Sequence, residues 1–302
     1  MIEAAQDRGA DVWYIQQLAM SLVGDKVVAQ AQKIRINLQA SPWYALSDMQ
    51  ELDLSELDAI FMRKDPPFDI NYIYSTYFLE RLEQQGVLIV NKPSSLRDCN
   101  EKLFATQFPQ CCPPLLVSAD QERLREFHQQ HFDVIYKPLD GMGGSSIFRA
   151  KSGEHNLGVI LETLTDQGRI PIMAQKYLPE ILQGDKRILV VDGEPVSHCL
   201  ARIPAQGETR GNLAAGGRGV VQELSARDRW IVSQVADDLK ARGLIFVGLD
   251  VIGDYLTEIN VTSPTCIREI DREAGTDIAG LLMDAVEKRL GWSGGSRLPA
   301  QC

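Results

Sequence analysis

Two runs of alternating apolar residues flank Gly253 and Asp254 near the C-terminus, and they constrain the fold more than any other feature of the chain. A Gly-Asp pair between such runs predicts a β-hairpin turn. The hairpin places Asp250 opposite Glu258 on one sheet face, with Asn260 two residues further along that face. Burying two carboxylates on an apolar face is costly, and a hard cation such as Mg²⁺ removes that cost. A salt-bridged or solvent-facing hairpin explains the same spacing.

The composition limits the classes of protein and partner. The chain has 302 residues, 44% of them hydrophobic, which can bury a sizeable core and suggests two or three lobes. Its net charge of -10 argues against a general nucleic-acid binder but allows an anionic small substrate in a locally basic cleft. No apolar run approaches the length of a membrane span, and no secretory signal opens the chain. We therefore expect neither nucleic-acid nor membrane partners.

The cysteines and histidines show no pattern typical of a metal site. The six cysteines have no regular spacing and no CxxC, which favours free thiols in a reducing cytoplasm. His128 and His131 lie in a polar stretch that predicts a helix over residues 121–131, and we interpret both as solvated.

Residues 1–98 predict an open α/β layer with crossover helices. The pattern predicts helices at 1–8 and 73–85, strands at 11–15, 27–38, 57–63 and 87–90, and a linker at 91–98. The chain opens on a helix, whereas a unit of this kind normally opens on a strand.

Residues after 98 predict a second, mixed region. We expect helices at 100–107, 227–242 and 277–290, strands at 134–137 and 172–177, and a hairpin joining 188–191 to 195–200. The Gly/Ser-rich residues 291–302 are typical of a disordered tail.

A Gly-rich loop at residues 140–146 follows the strand that carries Lys137. Glycine lets a backbone approach a ligand closely, and free amides bind phosphate oxygens. The loop matches neither the Walker A nor the GxGxxG pattern, and a hairpin tip is the alternative. Lys137 favours the phosphate interpretation. Lys102, on the helix after the linker, is a second candidate, unless it is a solvated helix lysine.

Three further segments offer groups to a ligand. The strand end at 175–179 has backbone groups that suit an adenine ring, although an ordinary strand end looks the same. Arg187 and Arg202 lie on neighbouring strands, where an inward arginine needs a carboxylate or phosphate and a surface arginine does not. Residues 203–219 form a long glycine-rich stretch that contains Arg210 and Arg218. Such a stretch is typical of a lid or of disorder.

Five segments of the chain stand out together: MRKDPPFD at 62–69, NKPSSLRDCNEKL at 91–103, KPLDGMGG at 137–144, GETRGNLAAGGRG at 207–219 and TEINVTSPT at 257–265. On these segments rests a resemblance to the bacterial glutathione synthetases of the ATP-grasp superfamily. It implies an α/β (α+β) chain in which an ATP-grasp fold at 99–290 follows a pre-ATP-grasp domain at 1–98. The ATP-grasp part would divide into residues 102–178 and 179–290. The family's usual first strand and loop have no counterpart before Met1, so the resemblance implies an incomplete start of the first domain. Either the true start lies upstream, or the chain is a truncated form.

The resemblance also implies roles for individual residues. ATP, as co-substrate, would be held by Lys102, Lys137, Gly141, Gly143, Gly144, Ser145, Gln175, Lys176, Tyr177, Leu178 and Asp185. Mg²⁺ or Mn²⁺ would be held by Asp250, Glu258 and Asn260. Arg187, Arg202 and Arg210 would act on the reacting groups, and Ser263 and Thr265 would hold a substrate end.

The implied reaction joins γ-glutamylcysteine to glycine in the cytoplasm, and the implied assembly is a homo-oligomer, a homotetramer. A carboxylate is a poor electrophile, so ATP would convert it to an acyl phosphate, and a lid would protect that species from water. Another ATP-grasp amino-acid ligase and a truncated ATP-binding pseudoenzyme are the alternatives.

Overall fold

A computed structural model describes residues 1–65, 67–141, 143–208, 211 and 216–292, which form a mixed α/β fold. The strands are β1 (Trp13–Val23), β2 (Lys26–Ile36), β3 (Tyr44–Leu46), β4 (Gln50–Asp53), β5 (Ala59–Phe61), β6 (Leu88–Val90), β7 (Leu115–Ser118), β8 (Asp133–Pro138), β9 (Phe148–Lys151), β10 (Ile172–Lys176), β11 (Asp185–Val191), β12 (Glu194–Ile203), β13 (Arg218–Glu223), β14 (Phe246–Ile252) and β15 (Tyr255–Asn260). The helices are α1 (Ile2–Asp7), α2 (Ile70–Gln84), α3 (Pro93–Asp98), α4 (Glu101–Ala105), α5 (Gln121–His131), α6 (Leu157–Leu164), α7 (Ala226–Ala241), α8 (Ile267–Ala274) and α9 (Ile278–Leu290).

The N-terminal part holds two small sheets. β1 and β2 form an antiparallel hairpin around Gly24, whose φ of +64° suits glycine, and β3 and β4 both pair with β2. β5 and β6 are parallel, with α2 as the crossover between them. The predicted α/β layer therefore holds for β5, α2 and β6, whereas the longer strands are antiparallel. The strand predicted at 11–15 extends to Val23.

The segment predicted as a linker, residues 91–98, contains α3, so that prediction is wrong. Pro93 begins the helix, a position that suits proline because the first helical N–H groups have no intrahelical partner. Asn91 is buried, and its amide donates to the carbonyls of Phe246 (2.8 Å) and Val261 (2.7 Å). The segment is thus a fixed connection between the N-terminal part and the β14–β15 hairpin.

A third sheet has the order β7-β10-β8-β9, and α5 and α6 pack against it. Its core contains Leu124 and Tyr136. His128, which we predicted to be solvated, is buried, with its ring nitrogens 3.2 Å from the Tyr136 hydroxyl and 3.2 Å from the Lys151 carbonyl oxygen. It lies one helical turn from Leu124 and shares the buried face of α5. The solvated interpretation of His128 is therefore wrong.

The largest sheet has the order β13-β12-β11-β14-β15, all antiparallel. Ile188 belongs to the apolar cluster that includes α7, and its neighbour Leu189 belongs to the cluster with α8 and α9, as expected for alternating strand residues. The predicted helices at 227–242 and 277–290 are confirmed as α7 and α9, and the predicted hairpin at 188–200 as β11 and β12. Sequence patterns did not predict β13 or α8.

Several other predictions can be compared with the described residues. Five cysteines are free thiols, as predicted: Cys99, Cys111, Cys112, Cys199 and Cys266. Over the described ranges, no helix is both long and apolar enough to cross a membrane. β13 begins at Arg218, inside the stretch predicted as a lid. Arg210 and most of residues 209–215 lie outside the described residues, as does the predicted disordered tail from residue 293 onward.

Candidate active site

A cavity of about 360 Å³ lies between the sheet that contains β8 and β10 and the sheet that contains β11 and β14. The predicted site residues that line it are Lys102, Lys137, Gly141, Gly143, Gly144, Ser145, Gln175, Tyr177, Leu178, Asp185, Arg187, Arg202, Asp250, Glu258, Asn260, Ser263 and Thr265. Lys176 does not line the cavity, because strand alternation turns its exposed side chain away from the face that carries Gln175. The fold thus brings together groups from segments far apart in sequence.

The hairpin forms as predicted. Asp250 of β14 is the register partner of Glu258 of β15, and Gly253 in the turn has φ +58°. A register shift follows Asp250, so that Val251 pairs with Leu256, and the bulge leaves Asp250 and Glu258 opposed. Both side chains, with Asn260, line the cavity.

Arg187 and Arg202 meet carboxylates, as buried guanidinium groups must. Arg187 donates through Nε (2.6 Å) and Nη2 (3.1 Å) to Asp250, and Arg202 Nη2 lies 3.0 Å from the second oxygen of Asp250. Burial opposes ionisation of Asp250, but the two guanidinium groups outweigh it and lower its pKa to about 2. Asp250 is therefore a carboxylate at neutral pH.

Asp185, at the start of β11, accepts a 2.5 Å hydrogen bond from Arg202 Nη2 through Oδ2. Its other oxygen is buried and has no hydrogen-bond partner within the described ranges. Burial raises the pKa of Asp185 to about 7, although Arg202 pulls the other way. A buried, unpartnered acceptor in a cavity wall is suited to a ligand donor such as a hydroxyl group.

The two predicted phosphate lysines lie side by side around Glu258. Its Oε1 is 3.3 Å from Lys137 Nζ and 3.6 Å from Lys102 Nζ. Lys102 also donates to the Gly141 carbonyl (2.7 Å) and pairs with Glu101. Burial strongly disfavours the charged lysine, but Glu258 and Glu101 outweigh it and raise the pKa of Lys102. The Lys102 ammonium group therefore stays charged in a buried site.

Glu101 is a cavity residue that sequence reasoning missed. Burial, together with the negative charge of Glu258, raises its pKa to about 7, and Lys102 only partly offsets this effect. The available signal was its position next to Lys102 in the first turn of α4, which Asn100 caps. The cavity is lined by five carboxyl groups, from Asp65, Glu101, Asp185, Asp250 and Glu258, and by four basic side chains, from Lys102, Lys137, Arg187 and Arg202.

The Gly-rich loop joins β8 to β9, and its glycines line the same cavity as Lys102 and Lys137. Gly143 and Gly144 have φ values of +62° and +79°, which L-side chains rarely adopt. A Cβ at Gly141 would lie 2.6 Å from Pro138 Cγ, so this position also requires glycine. The loop backbone can therefore approach a ligand that lies against Lys102 and Lys137.

The end of β10 forms a mixed polar and apolar wall. Gln175, Tyr177 and Leu178 line the cavity, with Ile181 beside them. The Gln175 side chain is buried, and its Oε1 has no hydrogen-bond partner in the described part of the chain. An apolar slot with one unpartnered acceptor suits a planar base that carries an amino group.

Ser263 and Thr265 follow β15, in a loop that contacts Arg63, a residue to which we assigned no role from the sequence. Arg63 Nη2 donates to the Pro264 carbonyl (2.8 Å), and Ser263 Oγ donates to the Arg63 carbonyl (3.5 Å). The N-terminal part therefore fixes the loop that carries both predicted substrate residues.

The described residues include no group of three or more His, Cys, Asp and Glu side chains arranged to hold a metal ion. Asp250, Glu258 and Asn260 offer two carboxylates and an amide, which fits Mg²⁺, since this ion commonly takes one or two protein carboxylates and leaves other positions to water and phosphate. The donor set thus fits a hard cation that is shared with a phosphorylated ligand.

Solved structures with a similar architecture include an ATP-grasp ligase. D-cycloserine synthetase superposes with a TM-score of 0.62 at 15% identity, over 79% of this chain and 86% of that one. An ATP-grasp ligase solved with its minimal precursor, Mg and ADP gives 0.52 at 24% identity, over 72% and 68% of the two chains. These identities establish the fold alone. The neighbours therefore place the chain in the class of proteins with the ATP-grasp fold.

Sequence relatives narrow this class further. The prokaryotic glutathione synthetase N-terminal domain matches residues 1–97, and the ATP-grasp domain of the same family matches residues 101–275. Glutathione synthetase from Pseudomonas putida is 60% identical over 290 residues, which are 96% of this chain and 92% of that protein. The chain belongs to the prokaryotic glutathione synthetase family.

Proposed function

We propose that the chain joins γ-glutamylcysteine to glycine, with ATP converted to ADP and phosphate. The structural observation that supports this proposal best is the pairing of Asp250 and Glu258 in a cavity that also holds two lysines and two arginines. Oxygen ligands for a cation and fixed cations for phosphate are what phosphoryl transfer to a carboxylate needs. The family relationship specifies the two substrates.

In this proposal the nucleotide lies along the wall between the two sheets. Lys102 and Lys137 bind its phosphates, and the loop with Gly141, Gly143, Gly144 and Ser145 covers them. The unpartnered oxygen of Gln175 accepts a hydrogen bond from the adenine amino group, next to Tyr177 and Leu178. Asp185, through its unpartnered oxygen, accepts from a ribose hydroxyl. Lys176 contributes backbone groups only.

Asp250, Glu258 and Asn260 would hold Mg²⁺, or Mn²⁺ in its place, and the metal would neutralise charge on the phosphate oxygens. The present partners of the two carboxylates are arginines and lysines, which themselves suit phosphate. Ligand binding therefore exchanges one set of opposite charges for another at the same positions.

Arg187 and Arg202 act on the reacting group. Once released from Asp250, their guanidinium groups face the site where the cysteinyl carboxylate receives the phosphoryl group, and they stabilise charge on the oxygens of the acyl phosphate. The glycine amine then attacks the acyl carbon, and phosphate leaves with the C–O bonding electrons. Ser263 and Thr265 hold the substrate end. Residues 203–219 exclude water as a lid, with Arg210 a further cation that lies outside the described residues.

We propose a pre-ATP-grasp domain at 1–98 and an ATP-grasp domain at 99–290, divided at residue 178. We also propose a cytoplasmic homotetramer.

The reaction can be tested by coupled measurement of ADP release with Mg²⁺, γ-glutamylcysteine and glycine. We expect release that depends on both substrates. Faster turnover with glutamate acceptors would favour a different amino-acid ligase. Calorimetric binding of ATP without ligation, even at high substrate concentration, would identify a pseudoenzyme.

A further inference from the structure

We infer that Arg149 is a positioning residue for the nucleotide, which acts by fixing the aromatic ring of Tyr177 in the cavity wall. The inference rests on the proposed function, because it requires a purine base along residues 175–178. Arg149 is the second residue of β9, directly after the Gly-rich loop.

Arg149 is held in place by two different kinds of contact. Its guanidinium carbon lies 3.4 Å from the centroid of the Tyr177 ring, within the range of a stacked cation–π contact. Its Nε (2.9 Å) and Nη2 (2.6 Å) donate to the two oxygens of Asp133. Such a two-point contact fixes the plane of the guanidinium, so its position over the ring is fixed too.

Asp133 also holds Tyr177, through a hydrogen bond between their main chains. The Tyr177 N–H donates to the Asp133 carbonyl at 2.9 Å, while the Asp133 carboxylate binds Arg149. The main chain of Tyr177 and one face of its ring are therefore fixed by two residues that bind each other. Once Arg149 covers one face, a ligand can contact only the other face or the edge of the ring.

Tyr177 lines the cavity, but neither Arg149 nor Asp133 does. Arg149 therefore acts on a bound nucleotide through Tyr177 rather than by contact. The side chains of Arg149 and Asp133 are 23% and 32% exposed, and an ion pair of that exposure stabilises a fold only slightly. The stack on Tyr177 is what distinguishes this pair from an ordinary surface salt bridge.

Arg149→Lys is the informative variant, because lysine keeps the charge but loses both the planar stack and the two-point contact. We expect the KM for ATP and the calorimetric Kd for ADP with Mg²⁺ to rise about five- to tenfold, while kcat stays nearly unchanged. The matched control is Arg169→Lys. Arg169 makes the same two-point contact with Asp166 (2.9 and 2.5 Å) in an exposed position away from the cavity.

A second set of variants tests whether Arg149 acts through the ring of Tyr177. In a Tyr177→Leu chain, Arg149→Lys should cause no further rise in the Kd for ADP, because the ring on which Arg149 acts is gone. An equal further rise in that background would overturn the inference, as would matching Kd and KM values for Arg149→Lys and Arg169→Lys. A fall in kcat with an unchanged Kd would also overturn it. If the parent chain itself binds no ADP, the proposed function fails, and this result is distinct from the others.

Discussion

Gly248 has no side chain, and this leaves room for Arg187 to reach Asp250. Replacing Gly248 with alanine therefore tests whether the position of Arg187 matters for turnover. Gly248 lies on β14, two residues before Asp250 and on the same face. A Cβ there would lie 2.9 Å from Arg187 Cδ and 3.0 Å from Pro264 Cβ. Carbon atoms pack at about 3.5–4.0 Å, so the new Cβ of Gly248→Ala would lie roughly 0.5–1 Å too close to both neighbours.

The displacement falls mainly on Arg187, since the opposite neighbour is a ring in the loop held by Arg63. Moving Arg187 stretches its bonds of 2.6 and 3.1 Å to Asp250. A misplacement of about 1 Å at a reacting site lowers a rate by about 10²-fold. Overpacking of this kind also costs about 1–3 kcal/mol of stability. We expect little change in the KM for ATP, because the predicted nucleotide contacts lie elsewhere.

The assay is steady-state ADP release with all three substrates varied, together with thermal unfolding. The control is Gly158→Ala in α6, where a new Cβ would meet only the terminal Nη2 of Arg125, at 3.3 Å. Its turnover should match the parent. A Gly248→Ala chain with turnover within about threefold of the parent, equivalent to less than 1 kcal/mol in the barrier, would refute this account of Arg187.

Three further perturbations follow from the site and its supports. Glu258→Gln should lower ADP release about 10²-fold or more at ordinary Mg²⁺, because it removes one of the two opposed carboxylates. In EDTA, the unfolding temperature should rise as the pH falls from about 7 towards 4. The pKa of Asp185 and of Glu101 is raised to about 7 in the folded state, so the folded state binds more protons than the unfolded state across that pH range. Asp185→Asn should flatten this slope. Asn91→Ala should cost about 3 kcal/mol in urea unfolding, because it leaves buried backbone groups without partners.

Each of these has a matched comparison. Glu194→Gln removes an exposed pair with Lys240 and should leave turnover unchanged; parental turnover in Glu258→Gln at the same Mg²⁺ concentration would contradict the metal proposal. Parallel pH slopes in the parent and Asp185→Asn would contradict the burial argument. Asn37→Ala, which affects one hydrogen bond in an exposed turn, should cost far less than Asn91→Ala, and equal losses would show that Asn91 does not hold the hairpin.

Local features of the site were predictable from the sequence. The hairpin that brings Asp250 close to Glu258 was predictable, because its turn and its strand alternation are encoded within a dozen neighbouring residues. The bulge was not predictable, and without it the turn would place Thr257 opposite Asp250. The helix α7 was predictable for the same reason, since its apolar spacing and the cap at Ser225 lie in one segment. The polar stretch of α5, in contrast, predicted a helix but not the burial of His128, which depends on the sheet beneath it.

Contacts between distant segments could not be predicted from patterns. Lys137 and Glu258 are 121 residues apart, and Arg63 and Pro264 are 201 apart, so no periodicity relates them. Glu101 was missed because a glutamate in the first turn of a helix is ordinary, and only the fold places it beside Glu258. In the N-terminal part, two adjacent glutamines after Ile15 interrupt the apolar pattern, which hid the rest of β1.

The pairing of all four basic side chains of the cavity with carboxylates has a consequence for which ions of the cell can bind there. Each of the four cations already makes an ion pair with a carboxylate. A simple anion such as inorganic phosphate would pair with the cations but leave the carboxylates buried and unpaired, so its net binding free energy would be small. A nucleotide accompanied by a divalent cation offers new partners to both sets. The internal pairing thus acts as a filter against abundant small anions, and it should make the affinity for such anions weak even at low salt.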